Sequence, residues 1–380
     1  MQTRSEGSRV VVVDAGDFCG ATSTSGSARG LFLLEAGKSM GSDAVTFGAG
    51  DAVLGADMLR SLASDPSIPL VSANLEADGG EPLGLPKSRI VEKDGVRVGI
   101  TAVTVPRAAE AEMLAGVHVR ARDARESLAP VLPELRRKAD VVVLLARTSL
   151  DEAKVLVEGF PDLVDVVVIG ALEPGRGLVG PENGGAVYVV AGDRGQAIGR
   201  ARMAIGAGRK PEHVVADEIL LTTEYAEDPG MRTLVDEFAA NLNEMLKEEA
   251  VRTAQGLAAP DGSYYVGAAS CGSCHKKEYD IWAKTPHAHA FQTLVDAHSD
   301  GLPECFKCHV TGAETPGGYV SGATEDLRNV QCEVCHGKGS HHARDGSWGG
   351  SLEKPVCLQC HDEGNSPDFD LDVYWQMIEH

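Results

Sequence analysis

The residues best suited to chemistry lie in the last 110 positions of this 380-residue chain. There Cys271-Gly-Ser-Cys274-His275, Cys305-Phe-Lys-Cys308-His309, Cys332-Glu-Val-Cys335-His336 and Cys357-Leu-Gln-Cys360-His361 follow one another. Each reads as a c-type haem attachment site. The two thiols form thioethers to the haem vinyl groups, and the adjacent His gives the iron a proximal ligand. Two other readings compete. Paired Cys-x-x-Cys motifs build zinc sites, and a single one can be a redox dithiol. Zinc has no need of a His directly after the second Cys in every copy, and a redox pair needs only one motif. The four copies use eight of the nine cysteines. We therefore expect four covalently attached c-type haems, held by Cys271, Cys274, Cys305, Cys308, Cys332, Cys335, Cys357 and Cys360. His275, His309, His336 and His361 are the expected proximal ligands.

An iron that only carries electrons wants a second axial ligand, usually His or Met. The same region holds six further histidines, His287, His289, His298, His341, His342 and His380, whereas Met377 is the one methionine after residue 255. Bis-His ligation is the expectation. His298, in Ala-His-Ser-Asp-Gly, reads as an exposed turn residue. The first cysteines of successive motifs are 34, 27 and 25 residues apart, so this is not a repeat of equal units. A region this short around four haems has little protein core of its own. The porphyrins must supply much of the buried apolar surface, and folding should depend on them as small metal domains depend on metal.

The elements ahead of these motifs are of another kind. Val10-Val-Val-Val-Asp14-Ala-Gly-Asp17 is a continuous apolar run ending in Asp and Gly, as in a strand buried on both faces. Ala44–Phe47, Leu70–Ala73, Val96–Val103, Val141–Leu145, Val164–Ile169 and Val187–Val190 read likewise. Helical stretches around Ala28–Gly37, Met58–Ser64, Ala124–Lys138 and Leu150–Gly159 separate several of them. Alternating strands and helices imply an α/β layered domain, expected over 1–206. Residues 207–260 read as a connector with a long helix from Met231 to Gln255, whose apolar stripe is Leu234, Phe238, Leu242 and Leu246. Residues 261–380 form the haem domain, expected to be mainly helical and loop. His118 reads as a structural or surface residue, and Cys19 as a small buried one.

Composition restricts the partners. Lys and Arg number 35 against 56 Asp and Glu, a net charge of −21, and haem propionates would add more negative charge. This argues against nucleic acid or an anionic membrane surface. No run of 18 or more apolar residues is present to span a membrane. The opening Met-Gln-Thr-Arg-Ser-Glu-Gly-Ser is polar and does not read as an export signal. Because c-type haem is attached outside the cytoplasm, the expectation is a periplasmic or extracellular protein whose chain as given starts late.

Two resemblances sharpen these readings. Val13-Asp14-Ala-Gly-Asp17, Gly41-Ser-Asp-Ala-Val-Thr-Phe-Gly48, Val164-Asp-Val-Val-Val-Ile-Gly170 and Gly192-Asp-Arg-Gly-Gln-Ala-Ile-Gly199 resemble, in order, segments of the 5′-nucleotidase-like metallophosphoesterases. That family holds two metals with an Asp-x-His, a Gly-Asp, an Asn-His-Glu, a later His and a Gly-His-x-His. Here the Asp-x-His strand would precede residue 1, and the Gly-Asp survives as Gly16-Asp17. Ala49-Gly50-Asp51 stands for Asn-His-Glu, Arg147 for the later His, and Gly170-Ala171-Leu172-Glu173 for Gly-His-x-His. The resemblance implies a phosphoesterase-like fold, and the replaced ligands imply that its chemistry is absent.

Tyr265-Val-Gly, Trp282-Ala-Lys-Thr-Pro-His287-Ala-His-Ala-Phe, Cys308-His-Val-Thr-Gly312, Val330-Gln-Cys-Glu-Val-Cys-His-Gly337-Lys-Gly-Ser and Asp368-Phe-Asp with Tyr374, Trp375 and His380 resemble the tetrahaem cytochrome c554 family over 264–380. That resemblance implies His287, His342 and His380 as distal ligands, with His289 and His341 weaker candidates and His289 the nominee for a fourth. It also implies that one haem can be five-coordinate. The expected function is electron transfer to and from redox partner proteins, with no catalytic residue assigned and the α/β domain as scaffold or assembly module. Three rivals stand beside it: nitrogen-oxide redox chemistry at an open haem, a metal-loaded nucleotidase, and a homo-oligomer or filament with stacked haems.

Overall fold

The computed structural model describes residues 10–19, 24–170, 177–179, 185–190, 195, 197–206, 208, 210–253, 259–297, 299–347, 354–362 and 365–379. His298, His380, the Ala171-Leu172-Glu173 segment and most of the Gly192–Gln196 segment lie outside the described residues. The chain divides into two compact units, Met1–Asp228 and Pro229–His380. The segment read as a connector is shared between them: the strand Pro211–Leu220 goes with the first unit and the helix Pro229–Thr253 with the second.

The first unit is built on a six-stranded sheet in the spatial order Ser88–Lys93, Val96–Thr104, Val141–Arg147, Val166–Ile169, Val187–Val190, Gly177–Val179. The middle four are mutually parallel and the two edges antiparallel. Val141–Arg147 is buried along its whole length, as a parallel strand covered on both faces must be. The helix Ala124–Lys138 buries Leu128, Leu132 and Leu135, spaced by four and three residues, against Val142, Leu144 and Ala146 on one face of the sheet. On the other face Ile100, Val143 and Leu145 meet Ala201, Met203, Val214 and Ala216. Those four come from an antiparallel pair, Ala197–Ile205 with Pro211–Leu220.

Val13–Asp14 pairs in parallel with Ala44–Val45, and Val45 bridges to Leu70. Leu70–Ala73 is buried as expected but makes only that bridge and no strand. Its Val71 N–H bonds to the Val45 carbonyl at 2.9 Å and its Ser72 N–H to that of Pro86 at 3.0 Å. Backbone satisfaction comes from both sides without a ladder. His118 stands at φ 61° with an exposed side chain, its Nδ1 3.0 Å from Asp78 Oδ2.

The second unit has short helices and a small apolar cluster of Phe291, Leu294, Phe306, Val310, Tyr319 and Leu327. Residues 326–333 act as its hub. Thr311 N–H bonds to the Leu327 carbonyl at 2.9 Å, Val330 N–H to the His287 carbonyl at 3.1 Å, and Phe291 N–H to Asn329 Oδ1 at 2.9 Å. Trp282 Nε1–H donates to the Val330 carbonyl at 2.9 Å. Gln331, 7% exposed, accepts from Ala268 N–H at 2.5 Å and donates to the carbonyls of Asp326 and Arg328. The long helix joins this unit through Leu242 and Leu246, both buried, and through Asn243, which donates to Asp300 at 2.6 Å and accepts from Gly301. Lys247 pairs with the other oxygen of Asp300 at 2.9 Å. Among the described residues no helix is long and apolar enough to cross a membrane.

Candidate haem-binding site

Each of the four motifs lies on or beside a short helix. Cys271 closes the helix Ala268–Gly272, Cys305 lies in Pro303–Phe306, Cys332 to His336 is itself helical, and Cys357 sits in the 3-10 turn Lys354–Gln359. Helical backbone makes the fifth residue of the motif fold back over the first. The N–H groups of His275 and His361 bond at 2.9 Å to the carbonyls of Cys271 and Cys357.

The hub brings motifs distant in sequence together. A hydrogen bond to Cys332, followed by burial, raises the Cys271 thiol. Burial and then the Cys357 and Cys332 thiols push Cys335 up to about 11. Burial and then the Cys308 thiol push Cys360 up to about 12. These neighbours set the motifs in the spatial order first, third, fourth, second. Glu333, inside the third motif and 4% exposed, accepts from Val266 N–H at 3.0 Å, Gly267 N–H at 2.8 Å and Gly339 N–H at 2.6 Å. One carboxylate thus ties the entry of the first motif to the third.

The histidines fall into pairs. The rings of His275 and His342 have centroids 6.0 Å apart, and those of His287 and His361 6.2 Å apart. Two imidazoles on opposite sides of one metal, each nitrogen about 2 Å from it, have ring centres about 6 Å apart. The residues present therefore fit an iron between each pair. Burial, followed by the neighbouring His361, holds His287 below the usual histidine range, which favours the neutral form in which imidazole binds a metal. His309 directs Nδ1 at the Ala290 carbonyl, 2.7 Å away. Nδ1 of His341 takes a hydrogen bond from Arg344 at 2.8 Å, and His289 is exposed next to buried Ala288.

Sequence reasoning missed Gln331, Glu333 and two residues beside His361, Ser366 and Phe369. Gln331, Glu333 and Phe369 stand inside segments that carry the cytochrome c554 resemblance, but their partners cannot be read there: two of the three backbone donors of Glu333, Val266 and Gly267, are more than 60 residues away in sequence.

In the first unit, Arg147, 4% exposed, donates through Nε to Asp17 and through Nη2 to Glu110 at 3.2 Å. A guanidinium thus neutralises Asp17. Asp51 accepts three backbone N–H groups, from Asp17 at 2.8 Å, Cys19 at 2.8 Å and Gly48 at 2.7 Å. Burial nevertheless raises its carboxyl to about 7. Cys19 is 2% exposed. Gly16 has φ +89°, and a Cβ there would meet Gly48 N at 2.6 Å, so only glycine lets the two loops close on each other. Among the described residues no three of His, Cys, Asp or Glu converge to hold a metal ion.

Residues 270–337 match the family described as cytochrome c554 and c-prime. Cytochrome c-554 of Nitrosomonas europaea is 32% identical over 97 residues, which cover 21% of this chain and 41% of that protein. The chain thus spans less than half the length of this curated relative. Among solved structures, the 5′-nucleotidase precursor of Thermus thermophilus aligns with a TM-score of 0.50 at 20% identity, over 63% of this chain and 51% of that one. The sulfate thiohydrolase SoxB of Thermus thermophilus aligns with a TM-score of 0.50 at 17% identity, over 63% and 44%. At such identities the likeness is one of fold. The N-terminal unit therefore has the α/β fold of the 5′-nucleotidase type of metallophosphoesterases, and the C-terminal unit carries a cytochrome c554 domain.

Proposed function

We propose that this protein is an extracytoplasmic tetrahaem c-type cytochrome that transfers electrons between partner proteins, with its phosphoesterase-like unit serving as a scaffold without hydrolytic chemistry. The observation that carries the reading is the pair of imidazole couples, His275 with His342 and His287 with His361, at 6.0 and 6.2 Å in one unit. When bound, c-type haem supplies iron that takes up and releases single electrons.

The chain's residues do the rest. The eight motif cysteines tether the groups, and His275, His309, His336 and His361 bind from the attachment side. His342 would hold iron together with His275 of the first motif and His287 together with His361 of the fourth, and His380 is the further ligand that the cytochrome c554 resemblance nominates. His309 keeps its ring oriented through Ala290, with Nδ1 as donor. Glu333 and Gln331 fix the spacing of the first and third motifs. In the other unit Arg147 holds Asp17 and Glu110 as ion pairs, which supports a scaffold role.

Proteolytic mapping of the full chain, produced with a c-type haem attachment system, tests this. Haem-bearing peptides are expected at all four motifs. Zinc in place of iron, or bare Cys-x-x-Cys-His peptides, would overturn the reading.

A further inference from the structure

The surroundings of His361 differ from those of His309 in a way that bears on electron affinity. His309 Nδ1 faces the backbone carbonyl of Ala290 at 2.7 Å, with the Thr293 hydroxyl farther off at 3.3 Å. His361 Nδ1 instead faces a side-chain hydroxyl, Ser366 Oγ, at 2.9 Å. An imidazole that binds iron through Nε2 carries its proton on Nδ1, so in the haem-loaded protein Ser366 must accept.

The turn that places this hydroxyl is local. Asp362 Oδ1 accepts from the Asn365 N–H at 2.8 Å and from its side-chain amide at 2.9 Å, and the Asp362 carbonyl accepts from the Ser366 N–H at 2.8 Å. The Phe369 N–H then bonds to the Ser366 carbonyl at 3.0 Å. The Phe369 ring lies 4.5 Å from the His361 ring and within 10° of parallel. Tyr374 meets Phe369 edge-on at 4.9 Å and 62°. The hydroxyl fixes one edge of the imidazole and the phenyl ring its plane.

We propose that Ser366 and Phe369 are positioning residues for His361 and set the electron affinity of the haem attached at Cys357 and Cys360; this rests on the haem reading above. An acceptor on the distant ring nitrogen makes a ligating imidazole more basic. A more basic ligand stabilises the oxidised iron and lowers its reduction potential. A hydroxyl accepts more weakly than a carbonyl, so this control is weaker than at His309. It is also carried by a side chain, where substitution can reach it.

The test is a spectroelectrochemical titration of the full, haem-loaded chain with Ser366→Ala, Ser366→Thr and Phe369→Ala. Ser366→Ala should raise one of the four midpoint potentials by up to tenfold in the reduced-to-oxidised ratio, about 59 mV for one electron, leaving the other three in place. Ser366→Thr should restore the original value. Phe369→Ala should broaden one low-spin ferric signal in electron paramagnetic resonance, because the imidazole plane is no longer held. Four unmoved midpoints in a Ser366→Ala protein that carries four haems overturn the proposal alone. A uniform drift of all four, restored by neither variant, does the same. A fourth motif without haem overturns this proposal together with the haem reading.

Discussion

At the scale of single residues, the first unit buries charge. There Arg147 is buried between Asp17 and Glu110. Removing one partner from such a group strands the others, which costs about 3–5 kcal/mol. Arg147→Met should therefore lower the first unit's stability by that amount in calorimetric unfolding. Asp51 gives a pH signature. Its native carboxyl titrates near 7 while an ordinary one titrates at 3.8. Between these values the native state holds a proton that the unfolded chain has lost, so stability contributed by Asp51 falls as pH rises through the window. Calorimetry from pH 4 to 8 should show this decline, and Asp51→Asn should flatten it. These pairings were half legible. The resemblance singles out both Asp17 and Arg147, but Glu110 as the second partner of Arg147 cannot be read from the sequence, because it comes from the separate helix Ala108–Gly116.

At the scale of elements, apolar runs disclosed the parallel strands because both of their faces are covered. The same rule over-read Leu70–Ala73, which is buried yet pairs through a single bridge. It passed over Ser88–Lys93, an edge strand whose half-covered residues give no run. In the second unit the informative element is the hub at 326–333, which joins the end of the one-turn helix Glu325–Leu327 to the start of the short helix Cys332–His336, pieces too short to show a periodicity. Its importance shows only in its partners, above all Glu333 with three backbone donors. Glu333→Ala leaves those N–H groups without their acceptor in a buried place, so thermal unfolding of the haem-loaded protein should register a loss of about 3 kcal/mol. The long helix makes a smaller case. Asp300→Ala removes the acceptor of both Asn243 and Lys247, and a loss of about 1–3 kcal/mol is expected by the same measurement.

At the scale of the whole molecule, the sequence announces two kinds of stability. The first unit has three apolar clusters built on its sheet. Among the described residues the second has one cluster of six buried residues, a core too small to hold it alone. The full chain made without haem attachment should therefore yield, on limited proteolysis, a resistant fragment ending near Asp228 and a degraded remainder. The strands and helices up to Val190 and the long helix were legible, whereas the hairpin of Ala197–Ile205 with Pro211–Leu220, and the assignment of hairpin and helix to units, were not. That assignment depends on pairings such as Ala197 with Leu220 and Asn243 with Asp300, which are set by tertiary structure.

The central claim is that His342 and His287 ligate iron opposite His275 and His361. Electron paramagnetic resonance of the ferric, haem-loaded protein tests it most directly, comparing the original chain with His342→Ala and His287→Ala. Each substitution should convert one low-spin haem to a high-spin signal while the haem count stays at four. Low-spin spectra unchanged in both variants would contradict the account.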